Sequence, residues 1–290
     1  MPAFIRLLRP SQWLKNGFVF APLIFSKHLF ETAYFYHSSV AFAAFCLASS
    51  LAYVTNDIVD KEADRLHPEK KKRPIASGEI SIATAGAVGA ILFAGTIFIS
   101  LTISVWFTGI VLFYIVLQSF YSLKLKNVVI LDVFIIAMGF MLRVFSGAVA
   151  INVIISHWIV ICTLFLSLFL AVSKRRSELV MIQLHHIETK RKVLTEYDVN
   201  YLNFTLVITA TGMAISYSLY TMAERTIETF GTEYLIFTTI FVLFGIFRYL
   251  YLVMNKGLGE NPNKILLRDA PMAVNILLYL LTIVSLIYFL

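Results

Sequence analysis

The sequence is short of charge and nearly without cysteine. Of 290 residues only 14% are Asp, Glu, Lys or Arg, while 59% are hydrophobic and the mean hydropathy is +0.81. Soluble domains carry about 25% charged residues, so the shortage argues against an ordinary soluble enzyme. The two cysteines, Cys46 and Cys162, both fall inside apolar runs, where a thiol behaves as a small apolar side chain; neither a disulfide framework nor thiol redox chemistry is indicated. Cys/His metal spacing is missing, and so is a glycine-rich phosphate loop of the Walker or dinucleotide type. No linker, low-complexity stretch or fixed-period repeat interrupts the chain.

What fills the chain is a series of long apolar runs. Stretches of the length needed to cross about 30 Å of hydrocarbon fall near 16–32, 34–55, 81–101, 104–121, 128–151, 155–173, 201–221, 234–254 and 270–289. They predict an all-α, polytopic membrane protein: one domain over 1–290, a bundle of nine transmembrane helices, with the first read as a retained helix rather than a cleaved signal. If the N-terminus and the even-numbered connections share one side, that side holds all but three of the 24 Lys and Arg. Lys27 and Arg225 lie on the other, and Arg143 falls within a span. By the positive-inside rule the basic side faces the cytoplasm of an inner (plasma) membrane. The net charge of +7 then reflects topology, and the partner it indicates is a bilayer, with no nucleic acid. A homo-oligomer is compatible with this pattern.

Acids concentrate in one place. In "TNDIVDKEADRLHPEKKKRPIASGEIS", Asp57, Asp60 and Asp64 stand at i, i+3 and i+7, so a helix continuing to Asp64 projects all three from one face. Like charges there, at a helix C-terminus that is already partly negative, repel one another. Two readings are open: a solvated helix end balanced by Lys61 and Arg65, or a site for Mg²⁺, which prefers oxygen ligands and joins one or two carboxylates to substrate phosphates. Asn56 adds a donor beside them. Lys70, Lys71, Lys72 and Arg73 follow in a loop stiffened by Pro68 and Pro74 and ended by Gly78, and acids beside bases suit a diphosphate. His67 lies within the same stretch and is a candidate phosphate contact. His185 and His186, in a charge-rich loop, read as solvated.

"NDIVDKEAD" resembles the NDxxDxxxD signature of the UbiA superfamily of intramembrane transferases, and "DRLHPEKKKRPIASG" extends the match. The resemblance implies Asp57, Asp60 and Asp64 as catalytic Mg²⁺ ligands, with Asn56, Arg65, His67, Lys70 and Arg73 as substrate contacts. Most members move a prenyl group onto an aromatic acceptor and carry a second acidic motif. Here "SKRRSEL" stands at that place, with Glu178 its only acid. That departure is similar to the decaprenyl-phosphate phosphoribosyltransferase branch, as are "RPSQWLKN" with Lys15, "YSLKLKNVVILDVFIIAMGFMLRVFSGAVA" with Tyr121, Lys124, Lys126 and Arg143, "YDVNYLNF" with Tyr197 and Tyr201, and "RYLYLVMNKGLGENPNKILLRDAPM". Arg176 and Asp132 depart from that branch, where an aromatic residue and Glu are expected.

The implied reaction displaces pyrophosphate from C1 of 5-phosphoribosyl diphosphate (PRPP) by an oxygen of a polyprenyl phosphate. Two anions then need two subsites, one with Mg²⁺ and one with bases such as Lys174, Arg175 and Arg143, near Glu178. An arginine within a membrane span is costly unless partnered; pairing with Asp132 or a helix carbonyl is the alternative role for Arg143, and snorkelling anchors the alternative for Lys174 and Arg175. Two rival functions stay open at this point, an aromatic prenyltransferase using a prenyl diphosphate and a non-catalytic carrier or channel.

Overall fold

The computed structural model describes residues 2–66, 70–185, 192–259, 265 and 268–289. Among these there is no strand, and eight helical stretches are long and apolar enough to cross a membrane. Their starts lie within three residues of those predicted. Contacts divide the chain into two helical units, Met1–Ile154 and Ile155–Leu290.

In the first unit α1 (Ala3–Leu8) leads into a 3₁₀ helix, Pro10–Phe20, and the short α2 (Ala21–Phe25). Then come α3 (Thr32–Val59), α4 (Lys61–Leu66), α5 (Ile82–Ile103), α6 (Val105–Leu123) and α7 (Leu131–Ile151). The α3 helix is the hub and touches α5, α6, α7 and the 3₁₀ helix. Ala41, Ala44 and Ala48 form a fully buried small-residue stripe on it beside Phe45, Phe107 and Val111. Between apolar helices in lipid, such close packing supplies the attraction that water would supply elsewhere. Ser104 alone joins α5 to α6: its extended backbone turns the chain, and its hydroxyl accepts from the Phe107 N–H at 3.1 Å.

The stretch expected as the first span, 16–32, is not among the eight: 16–20 end an 11-residue 3₁₀ helix that starts at Pro10, 21–25 form the 5 residues of α2, and 26–31 lie outside any helix. The 3₁₀ helix and α2 run antiparallel to α3. Arg9 meets Asp57, Trp13 donates to Ser50 at 3.0 Å, Asn16 donates to Ser49 at 3.1 Å, and the Phe20 ring lies 5.4 Å from Phe42. At about 2.0 Å rise per 3₁₀ residue and 1.5 Å per α residue, these two pieces cover about 30 Å. Gly147 of α7 admits this backbone, since a Cβ there would overlap the Val19 carbonyl.

The second unit holds α8 (His157–His185), α9 (Lys192–Glu196), α10 (Val199–Met222), α11 (Glu224–Phe230), α12 (Thr239–Asn255) and α13 (Ala270–Tyr288). Its tightest pair is α8 with α10, where Gly212 lies against the Phe165 ring. Asp269 caps α13 through the Met272 N–H at 3.0 Å and takes Arg248 of α12 bidentately at 3.0 and 2.8 Å. These bonds hold the Asp269 carboxyl below its ordinary range, with the Arg248 hydrogen bond the larger cause. A carboxyl with a depressed pKa stabilises the fold above its unfolded pKa, and that stability is lost as pH falls through the lower, folded value. Asp269→Ala is therefore expected to cost about 1 kcal/mol of thermal stability in detergent near neutral pH, with the gap to wild type closing on acidification.

Candidate active site

The acidic motif sits where α3 gives way to α4. The backbone hydrogen bonds continue through the junction, Asp60 N–H to Asn56 at 2.9 Å and Asp64 N–H to Asp60 at 2.8 Å, while Asp60 itself (φ −89, ψ 3) leaves helical geometry. The three carboxylates are not pooled. Asp57, 1% exposed, takes Arg9 and the Arg73 Nη1 at 3.2 Å on the same oxygen, Oδ1. That Arg73 nitrogen also reaches the Asp64 Oδ2 at 2.5 Å. Asp60 turns to Lys126, from the turn after α6, also at 2.5 Å. Among the described residues no three Asp, Glu, His or Cys side chains come together as a metal-holding group.

One feature nevertheless fits a hard cation. The Asp57 Oδ2 is buried and accepts no hydrogen bond from the described residues, an arrangement that costs free energy until a partner arrives. Arg73 stands between this carboxylate and that of Asp64, so a cation already occupies the place that two carboxylates would offer an ion. Mg²⁺ needs only one or two carboxylates when waters and substrate phosphates complete its octahedron. Burial pushes the Asp64 carboxyl up, and Arg73 opposes this by its charge and hydrogen bond.

The remaining predicted contacts scatter around this pole. Lys70 is close enough to Asp64 to act on it electrostatically. Arg65 is turned away, to the Ala76 carbonyl at 3.3 Å and to Glu62 at 3.1 Å. Lys124 is exposed at the end of α6, Asn56 and Tyr121 are half-buried, and His67 lies outside the described residues. Lys15 is half-buried on the 3₁₀ helix. Sequence reasoning passed over Arg9 and Asn16, although both lie in "RPSQWLKN"; that motif's similarity to the branch was the available signal.

Arg143 is buried and serves as a tie. Its Nε donates to Asn16 at 2.8 Å, Nη1 to the Gly139 carbonyl at 2.7 Å and Nη2 to the Tyr114 hydroxyl at 2.9 Å, and its guanidinium lies over the Tyr114 ring at 4.8 Å. Three of its five donors thus join the 3₁₀ helix, α6 and α7. Of the two partners considered from the sequence, the helix carbonyl is the one Arg143 meets, at Gly139.

In the second unit "SKRRSEL" lies within α8, which continues past the predicted span end at 173. Arg175 is 1% exposed and bonds Glu178 at 2.5 Å, whereas Lys174 is 41% exposed and 3.9 Å from Glu178. Arg176 donates to Asn203 at 2.6 Å and to the Val253 carbonyl at 3.2 Å, tying α8 to α10 and α12. The rings of Tyr197 and Tyr201 stack, with centroids 6.1 Å apart.

The model of the UbiA prenyltransferase family matches residues 31–267. The chain belongs to this family. Relatives of this UbiA-family protein include the decaprenyl-phosphate phosphoribosyltransferase of Mycolicibacterium smegmatis, 34% identical over 98% of this chain and 92% of the relative. The enzyme of the same name from Corynebacterium glutamicum is 33% identical, over 98% and 86%. Among solved structures, a UbiA homolog from Archaeoglobus fulgidus bound to GPP and Mg²⁺ superposes with a TM-score of 0.74 at 20% identity, covering 99% of both chains. The UbiA-family protein is accordingly a helical membrane transferase.

Proposed function

We propose that the chain, acting as a single UbiA-type transferase domain over 1–290, transfers 5-phosphoribosyl from PRPP to a polyprenyl phosphate and releases pyrophosphate. The observation that carries this reading is the near full-length similarity to phosphoribosyltransferases of that acceptor class. It agrees with a chain that has an acidic pole at Asp57 and Asp64 and a basic run, not a second acidic one, at Lys174–Arg176.

In this reading Asp57, Asp60 and Asp64 would hold Mg²⁺ beside the donor diphosphate. The bound ion supplies charge neutralisation to the departing diphosphate. Arg73, Lys70 and Lys126 meet phosphate oxygens, and Lys174 meets the lipid phosphate. A phosphate oxygen of the acceptor forms the bond to C1 while the C1–oxygen bond to diphosphate breaks, its electron pair leaving with pyrophosphate. The nucleophile is anionic at neutral pH, so the side chains need not move a proton; their work is alignment of two anions and stabilisation of developing charge. In-line attack inverts C1.

The excess of basic residues beside it supports a cytoplasmic side of the plasma membrane for the acidic pole. The 3₁₀ segment and α2, long enough together for the hydrocarbon, supply a ninth crossing that keeps Arg9 on the side of Asp57. Radiolabelled PRPP incubated with several polyprenyl phosphates tests the activity. Label is expected in the lipid phase only with polyprenyl phosphate and Mg²⁺; product from a prenyl diphosphate and an aromatic acid instead would overturn it.

A further inference from the structure

Arg9 is the least expected member of the acidic pole. It reaches Asp57 across 48 residues of sequence and packs over the Tyr53 ring at 4.9 Å. It does so from a left-handed backbone (φ 52, ψ 58) at the junction of α1 and the 3₁₀ helix. A non-glycine residue in that conformation is uncommon and persists where its surroundings over-determine it. Arg9 and Arg73 crowd onto one oxygen of Asp57, while the other oxygen, also buried, meets no hydrogen-bond donor among the described residues.

We infer that Arg9 and Arg73 are resident counter-ions of the donor site: they occupy Asp57 and Asp64 in the substrate-free protein and pass to the donor's diphosphate when a divalent cation takes the carboxylates. The inference deepens the proposed reading and rests on it for the identity of the donor. Two guanidinium bonds use up the Asp57 Oδ1, so the cation's point of entry is Oδ2. Drawing Asp64 into the same shell requires Arg73 to leave, because its Nη1 stands between the two carboxylates. Guanidinium and dication cannot share one carboxylate oxygen without like-charge repulsion. Once displaced, a planar guanidinium at this spot matches two oxygens of a diphosphate. The exchange keeps the pole close to neutral in both states. It also couples cation to donor: each ion weakens without the other, reciprocally.

The exchange predicts an inverted sign. If the arginines compete with the cation, removing one should tighten cation binding in the absence of any substrate, although it removes a ligand of the diphosphate. Mn²⁺ binding to the detergent-purified full chain, read by the loss of the free-ion EPR signal with no donor present, measures this directly. Arg73→Gln is expected to tighten Mn²⁺ by about tenfold, the effect of deleting one charge-assisted contact, and to weaken PRPP binding when the site is saturated with Mn²⁺. Arg9→Gln should tighten Mn²⁺ in the same direction, which keeps the test available if Arg73→Gln does not fold. Arg65→Gln is the control, because Arg65 pairs with exposed Glu62 and not with Asp57 or Asp64; such a surface pair is worth little, and Mn²⁺ affinity should stay within about twofold. Unchanged or weaker Mn²⁺ binding in both Arg73→Gln and Arg9→Gln overturns the exchange, and so does equal tightening in Arg65→Gln. Since no substrate is present, that failure is separate from failure of the PRPP reading, which the transfer assay decides.

Discussion

Asp57→Asn is expected to abolish Mg²⁺-dependent donor binding and to lower turnover by at least about 10²–10³-fold, the scale of losing about 2.7–4 kcal/mol of preorganised charge stabilisation. The amide keeps the shape of the side chain but surrenders the anionic Oδ2 that is buried and unsatisfied in the protein as it stands. The fold should survive, because Arg73 keeps Asp64 and Arg9 keeps the Tyr53 face. PRPP binding by calorimetry at limiting and saturating Mg²⁺ is the check, and wild-type affinity at limiting Mg²⁺ would contradict the assignment. Asp60→Asn should do less: its carboxylate is 26% exposed and paired to Lys126, away from the Arg73 bridge.

The second large effect concerns stability. Arg175→Met removes one partner of Glu178, which Lys174 also approaches at 3.9 Å, from a pair whose side chains are 1% and 16% exposed. Breaking a buried pair by removing one partner costs up to about 3–5 kcal/mol, less where a second base stays near, while replacing both by apolar groups is near neutral. Arg175→Met should therefore unfold at clearly lower temperature in detergent, and Arg175→Met with Glu178→Leu should recover most of the loss. Lys174→Gln, at the half-exposed neighbour, should leave thermal stability in place and raise the apparent acceptor constant by roughly 10-fold, the loss of about 1.5 kcal/mol from a charged hydrogen bond. An acceptor constant unmoved in Lys174→Gln would remove that lysine from the lipid phosphate.

Hydropathy made the eight long apolar helices legible, since a helix in lipid must satisfy its own backbone and so reads as one long apolar run. The 3₁₀ segment was legible only as apolar length: its geometry comes from packing against α3 and Gly147, which a 3.6-residue pattern does not encode. The end of α8 was missed for a related reason, because charge at Lys174–Arg176 marks the edge of the hydrocarbon and not the end of the helix. The acid spacing pointed to the UbiA resemblance, and the family match over residues 31–267 bears that resemblance out. What spacing could not show is which base claims which acid. Arg9 meets Asp57 and Lys126 meets Asp60 through tertiary packing across 48 and 66 residues. Arg143 illustrates the same limit, since a span arginine signals importance in either role, and only its bonds to Asn16, Gly139 and Tyr114 show that it joins elements.

The most direct test of phosphoribosyl transfer follows both halves of the donor in one reaction. PRPP labelled separately in the 5-phosphate and in the diphosphate is incubated with Mg²⁺ and polyprenyl phosphate, and the lipid and aqueous phases are counted. The account predicts 5-phosphate label in the lipid phase, matched by equimolar diphosphate label released as pyrophosphate, with both lost in Asp57→Asn. Diphosphate label appearing in the lipid, or pyrophosphate released without lipid labelling, would contradict it.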